Sequence, residues 1–296
     1  MQRDRFQDFH PGIQFLFFIA VIVFSMCFVH PAFVVCSVLF SACYLFLLRG
    51  NKAWQVIAMT AMLFLVVSLV NPLFNTNGEH VLFTWAGGRP YCLEPLCYGM
   101  ALGGMTASVL LWFACYNTVM TSDKFLQLVG KRIPSLSLVL TMVMRLVPDY
   151  MRKTKQISGA RSCIGKAGPG DLKTRLNDGG QILSSLTNWA LEGGISRADS
   201  MKSRGFGTGR RSSFLMYRWS NMDKVLLAGL IAIIAAIILF AALGAASVTY
   251  IPHTVIAPLS STKTAAAVII YIICLSIPTV MNLVEIIIWH NLRSKI

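Results

Sequence analysis

The stretch DYMRKTKQISGARSCIGKAGPGDLKTRLNDGGQILSSLTNWALEGGISRADSMKSRGFGTGRR, residues 149–211, is a polar and strongly basic island in an otherwise oily chain. The 296 residues are 55% hydrophobic and only 13% charged, with mean hydropathy +0.64. Soluble domains carry about 25% charged residues, so this deficit puts the chain in the membrane class. The net charge is +14. On a soluble protein such a charge would suggest nucleic acid. On a membrane protein the first explanation is the excess of Lys and Arg in cytoplasmic loops.

Working outward from the island, apolar runs of spanning length lie on both sides. On the N-terminal side they cover about 12–29, 32–48, 53–70 and 98–119, each near the 17–20 apolar residues that a spanning helix needs. His30-Pro31 and Asn71-Pro72 punctuate them. No Ala-x-Ala cleavage site follows the first run, so it reads as a retained span. On the C-terminal side the runs are about 225–248 and 265–289. Between spans three and four, residues 73–97 carry Asn-Gly, Gly-Gly and several prolines, which predicts an irregular loop or a hairpin. Gly99 to Gly103 is a small-xxx-small element that lets helices approach closely.

The charges orient these spans. With the N-terminus in the cytoplasm, 24 of the 26 Lys and Arg fall on that side, and only Arg89 and Lys263 fall outside. The opposite orientation would translocate the 24. Six spans with both termini cytoplasmic follow, and the island is cytoplasmic.

Just before the island, residues 123–131 predict a short amphipathic helix with Phe125, Leu126 and Val129 on its apolar side. Residues 134–148 are apolar, bracketed by Pro134 and Pro148, and too short to span comfortably, so a buried or interfacial helix is expected. Arg145 is the single cation in it. A central Arg costs about 2.5–3.5 kcal/mol on insertion scales. Arg145 is read either as an anchor for the island's fold or as a side chain that snorkels to the interface.

Within the island, residues 149–164 predict a helix with Met151, Thr154, Ile157 or Ser158, and Arg161 along one face. Residues 165–170 break it. Residues 181–191 form a second amphipathic segment with Ile182, Leu183, Leu186, Trp189 and Ala190 for burial. Gly193-Gly194 interrupts, and residues 195–203 are helical again, with Gly205 in the C-cap region. Arg161 and Arg204 each stand near a helix end between small residues: Ala160-Arg161-Ser162 and Ser203-Arg204-Gly205. A guanidinium so flanked is free to enter a groove, and its fixed fork of donors suits carboxylates. Two solvated or headgroup-bound arginines are the alternative.

The island carries no catalytic constellation. Gly165 and Gly170 have the glycine spacing of a P-loop, but Asp171-Leu172 follows where Lys-Ser/Thr is required. Ala160-Arg161 and Gly170 resemble part of a CDP-alcohol phosphotransferase motif. Its Asp-Gly is missing, and Thr174 and Asp178 stand where two metal-binding carboxylates should be. The five His are scattered, and there is no Gly-x-Ser-x-Gly elbow. No catalytic residue, metal site or cofactor is expected on this chain. Nucleic acid is not an expected partner either, because the island lacks interleaved aromatics for base stacking. Cys92 and Cys97 share one polar loop, where an extracellular placement would permit a small disulfide and two free thiols are the alternative.

The order of motifs across residues 134–207 resembles the transmembrane T component of energy-coupling factor (ECF) vitamin and metal transporters. That family has a Pro-rich lead-in with Arg-x-x-Pro, then an Ala-Arg-Gly-like motif, then Arg-Ala…Met-x-x-Arg-Gly-aromatic. Here these read Arg145-Leu-Val-Pro148, Ala160-Arg161-Ser162, and Arg197-Ala198 through Met201-Lys202-Ser203-Arg204-Gly205-Phe206. Ser162 stands where Gly is usual, and Ser203 where Ala is common. Both remain small. Phe9-His10-Pro11 replaces the usual Leu-Asp-Pro-Arg.

The resemblance implies two coupling helices ending in the arginine motifs, each docked on one subunit of an ABC ATPase pair. Ala160, Arg161, Ser162, Ser203, Arg204 and Gly205 would make those contacts, supported by Arg145, Pro148 and Arg197. ATP would stay on the partner subunits, and an integral-membrane S component would bind the substrate. The expectation is thus an all-α, polytopic, non-enzymatic membrane protein with about six spanning helices and a cytoplasmic helical coupling domain. Its parts are N-terminal membrane helices 1–119, a coupling domain 120–222 and C-terminal membrane helices 223–296, in the cell membrane. The rival readings are an ordinary ABC importer permease, and a membrane protein whose basic domain binds anionic lipid.

Overall fold

Two His-Pro pairs start the first two long helices. A computed structural model describes residues 5–75, 80–84, 90–130, 133–164, 172–208, 219–250, 255–256, 258 and 261–293. After a single turn, α1 (Arg5–Asp8), come α2 (Pro11–Cys27) and α3 (Pro31–Arg49). Proline suits the first helical position, where no backbone N–H is needed. The preceding histidines act as N-caps: His10 Nδ1 accepts from the Gly12 N–H at 3.1 Å and His30 Nδ1 from the Ala32 N–H at 3.2 Å. Asp commonly fills this role; here a histidine ring nitrogen fills it at both helix starts. Gly50, at φ 57°, ends α3, and one 3₁₀ turn (Gly50–Lys52) leads into α4 (Ala53–Phe74).

α5 (Leu93–Val119) is the centre of the first of two units, Met1–Phe125 with Tyr217–Ile296. It packs on α2, α3 and α4. The hairpin expected in the 73–97 loop is present, with β1 (Val81–Thr84) antiparallel to β2 (Pro90–Cys92). Its base is tied to α5 by Glu94 Oε1, which accepts from the His80 backbone N–H at 3.1 Å and lies 2.8 Å from His80 Nδ1. Cys92 and Cys97 are separate thiols in the structure. Cys92 is the N-cap of α5 and Cys97 lies just inside it. Five helical residues turn them about 140° apart.

The small-xxx-small element lies on the α4 face. A Cβ on Gly99 would stand 2.8 Å from the Ser68 carbonyl oxygen, and one on Gly103 would stand 2.9 Å from that of Phe64. Gly104 faces α3, where a Cβ would meet Val34. This approach also explains why Asn71-Pro72 does not close α4. Gly99 sits against Ser68 and Asn71, and that packing carries the helix past buried Pro72 to Phe74.

Aromatic rings fill the core. Phe6, Phe17, Phe18 and Trp112 meet edge to face, and Phe28 and Phe33 pack on Tyr271. One hydrogen-bonded chain stitches four helices. The Trp112 indole donates to Ser37 Oγ at 3.0 Å, Ser37 pairs with Ser25 at 2.9 Å, and Ser25 lies 3.5 Å from the Tyr271 hydroxyl. Such bonds matter between membrane helices, which gain little from hydrophobic association in lipid. At the end of α5, buried Lys124 donates to the carbonyls of Val119 and Gln7 and to Gln14 Oε1. This cation therefore ties the N-terminal segment to the end of α5.

α9 (Asn221–Ala242) opens with a Ser220–Asp223 capping box and stops at Gly244, φ 79°. It is shorter than the 225–248 run because Gly244 N–H bonds to the Ala241 carbonyl and Ala245 N–H to that of Phe240, closing the helix. A two-stranded hairpin, β3 (Val248–Thr249) with β4 (Val255–Ile256), follows, and then α10 (Thr262–Arg293), which passes through Pro278. Among the described residues four helical stretches are long and apolar enough to cross a membrane: Pro31–Phe74, Leu93–Val119, Asn221–Ala242 and Thr262–Trp289. The 44-residue stretch is two helices once divided at Gly50, and α2 is a shorter apolar helix of 17 residues. All six apolar runs of the sequence are thus helical. The fold is that of an all-α polytopic membrane protein.

The second unit, Leu126–Met216, is built on α7 (Pro134–Cys163) and α8 (Leu172–Ser203), preceded by α6 (Ser122–Gly130). Two expectations are corrected here. Residues 134–148 and 149–164 are one helix of 30 residues, with Pro148 inside it. Residues 181–203 belong to one helix of 32 residues that runs through Gly193-Gly194. A proline removes one hydrogen bond and bends a helix, and a helical glycine costs about 1 kcal/mol. Neither ends a helix that packing continues. Two residues past Pro148, the Tyr150 ring meets Trp189 edge to face at 5.5 Å, and Lys153 Nζ lies 5.6 Å over the same indole.

In α6, Leu126 is buried, Phe125 is exposed and the Val129 side chain lies outside the described ones. In α8, Ile182, Leu186, Trp189 and Ala190 are half-buried, whereas Leu183 is exposed.

Candidate functional site

α7 and α8 run antiparallel. Tyr150 meets Trp189, and eleven residues further along α7 Arg161 meets Gln181 and Asp178. The face of α7 that carries Thr154, Ile157, Ser158 and Arg161 is half-buried, while Met151 is exposed. The Gly165–Gly170 breaker lies outside the described residues.

Arg161 is not the free guanidinium expected of a plug. Its Nη2 donates to Asp178 Oδ1 at 2.6 Å and its Nη1 donates to Gln181 Oε1. The Arg161 and Asp178 side chains are 16% and 24% exposed. Its neighbours Ala160 and Ser162 are exposed. Ser162 Oγ donates back to the carbonyls of Ser158 and Gly159 at 2.8 and 3.1 Å, and Ser203 Oγ to that of Ser200 at 2.9 Å. Each serine satisfies its hydroxyl within its own helix. Each therefore stands in for a smaller residue without adding an unpaired polar group.

Arg204 is the opposite case. It is the C-cap residue of α8. Gly205, at φ 77°, follows it, with Gly205 N–H bonded to the Lys202 carbonyl and Phe206 N–H to that of Met201. That pair of bonds defines a Schellman motif, which needs a left-handed residue at Gly205. The Arg-Gly-aromatic triplet is thus a helix stop that leaves the arginine at the very tip. Arg204 is exposed, as are Ser203 and Gly205, and its side chain has no hydrogen bond or ion pair among the described residues.

Of the supporting residues, Arg145 and Pro148 are exposed on α7, and Arg145 has no hydrogen bond among the described residues. Arg197 is exposed, and its guanidinium lies back over Gly193.

The two arginines are far apart. The Arg161 guanidinium sits at the level of Gln181, and Arg204 lies 23 residues further along α8. At the 1.5 Å rise of an α-helix that is about 35 Å. Asp178, Gln181 and the Tyr150–Trp189 contact were not foreseen as parts of this site. One signal was available: Asp178 is the sole acid between Asp171 and Glu192, in a cationic stretch.

Fold and site together define an integral membrane protein with a basic two-helix unit that presents an arginine at each of two distant points. No protein-family model matches the chain. Over 188 residues, 60% of this chain and 69% of the relative, it is 26% identical to the energy-coupling factor transporter transmembrane protein EcfT of Staphylococcus aureus (strain 04-02981). This similarity agrees with the resemblance to the transmembrane T components of energy-coupling factor transporters.

Proposed function

We propose that this chain is the scaffold and energy-coupling component of an importer, docking two ABC ATPase subunits through Arg161 and Arg204. The observation that carries the reading is the separation of about 35 Å between two arginine-bearing tips on one antiparallel helix pair. A single groove cannot hold both. Two equivalent grooves, one per subunit of an ATPase dimer, can. ATP binds and is hydrolysed on those partners, with no cofactor on this chain. Closure of the dimer moves α7 and α8, and an integral-membrane S component that carries a vitamin or a metal such as cobalt is reoriented in response. The charge distribution of the sequence supports a cytoplasmic location for the arginine tips and for both termini. Coupling requires the docked ATPase to bind this chain differently in its two nucleotide states.

The test is capture of the tagged chain from its native membrane in mild detergent. Two ATPase subunits and a small integral-membrane protein are the expected companions. A soluble substrate-binding protein in their place would indicate an ordinary importer permease. Salt-sensitive binding to anionic liposomes with no ATPase present would indicate a lipid-binding domain.

A further inference from the structure

The two arginine tips are chemically unequal. Arg204 is exposed beyond the end of its helix, whereas Arg161 is already bound inside the molecule. Its partners Asp178 and Gln181 are three residues apart on α8, so they face the same way and form a ready-made acceptor for a guanidinium fork. Asp178 supplies the charge and Gln181 a second, neutral oxygen. An acidic groove on a partner would offer Arg161 the same chemistry. The planar fork cannot align on both sites together.

We propose that Asp178 is an internal competitor for Arg161, a latch that must open before the α7 tip can dock. The proposal rests on the docking reading above and deepens it. With the latch closed, the α7 tip is tied to α8 and the α7–α8 pair is braced. With Arg161 transferred to a partner, Asp178 is released and the brace is lost, so the two helices become free to move in the assembled complex. The apparent affinity of this prong is reduced by the fraction of molecules in which the latch is open. Arg204 has no such competitor among the described residues, so its prong engages first and Arg161 second.

The experiment measures binding of the full-length chain, in detergent micelles, to the purified ATPase pair. Asp178→Asn keeps the side-chain shape and removes the charge. Roughly two- to fivefold tighter binding is expected, from the strength of a partly exposed ion pair. Unchanged or weaker binding overturns the latch. The charge swap Arg161→Asp with Asp178→Arg guards against a fold defect. It is expected to melt at the wild-type temperature while ATPase binding stays weak, and recovery of binding would show that the pair is a brace alone and overturn the proposal. Arg204→Glu separates the two levels of the argument, because wild-type binding by that variant would remove the docking reading itself, whatever Asp178→Asn does.

Discussion

Charge reversal at both tips, Arg161→Glu with Arg204→Glu, is expected to abolish co-purification of the ATPase pair while the chain still inserts into the membrane. Truncating one partner of a buried, hydrogen-bonded charge pair costs about 2–5 kcal/mol at an interface. Two reversals on separate subunits therefore weaken assembly at least about a thousandfold. The single variants should differ. Arg204→Glu removes a contact made by an exposed guanidinium. Arg161→Glu removes one that must first break the bond to Asp178, and it also sets two acids side by side at the end of α7. The Arg161 variant should thus lower the melting temperature of the chain, and the Arg204 variant should not. Quantitative pull-down with membrane-fraction controls reads the first effect, and a thermal melt of the purified chain reads the second. Unchanged co-purification of the double variant would sink the docking role.

The other large effect is expected in the apolar unit. Gly103→Leu should cost about 3 kcal/mol or more, because overpacking a tight contact is destabilising and this one meets main chain. A Cβ there stands 2.9 Å from the Phe64 carbonyl oxygen and 3.2 Å from its ring, on the helix that α5 packs against most extensively. A backbone oxygen within a helix cannot swing aside as a flexible side chain can. The expected readout is a large drop in the detergent melting temperature, or loss of the monodisperse species. Gly194→Ala is the matched control. No atom lies within 4 Å of its Cβ position, and α8 should gain up to about 1 kcal/mol from the better helix former. Equal melting temperatures for Gly103→Leu and wild type would mean that the α4–α5 contact is looser than described.

The apolar unit was legible in the sequence because spanning helices declare themselves by length and apolarity, whatever they pack against. The Gly99–Gly103 contact was legible as a type of contact, though not as a contact with α4. The helix stop at Gly205 was legible too, since only local backbone bonds to Lys202 and Met201 define it. Residues that act over long range were not. Pro72, Pro148 and Gly193-Gly194 read as terminators, and each is carried through by packing or by the length of the surrounding helix. The ion pair of Arg161 with Asp178 depends on the register of two antiparallel helices across 17 residues of sequence. Nothing in either helix alone sets that register, which the Tyr150–Trp189 contact shares. His10 was the most misleading local signal. Histidine is not a usual N-cap residue, yet its ring nitrogen caps α2 at 3.1 Å.

The central claim is that two tips on one helix pair engage two different ATPase subunits at once. Site-specific cross-linking tests it most directly, with Ala160→Cys and Thr208→Cys introduced singly and together into a cysteine-free background and joined to the assembled complex by a short bifunctional reagent. Each single variant is expected to yield an adduct of this chain with one ATPase subunit, and the double variant an adduct with two. A double variant that still captures only one subunit, with both cysteines joined to the same polypeptide, would contradict the account.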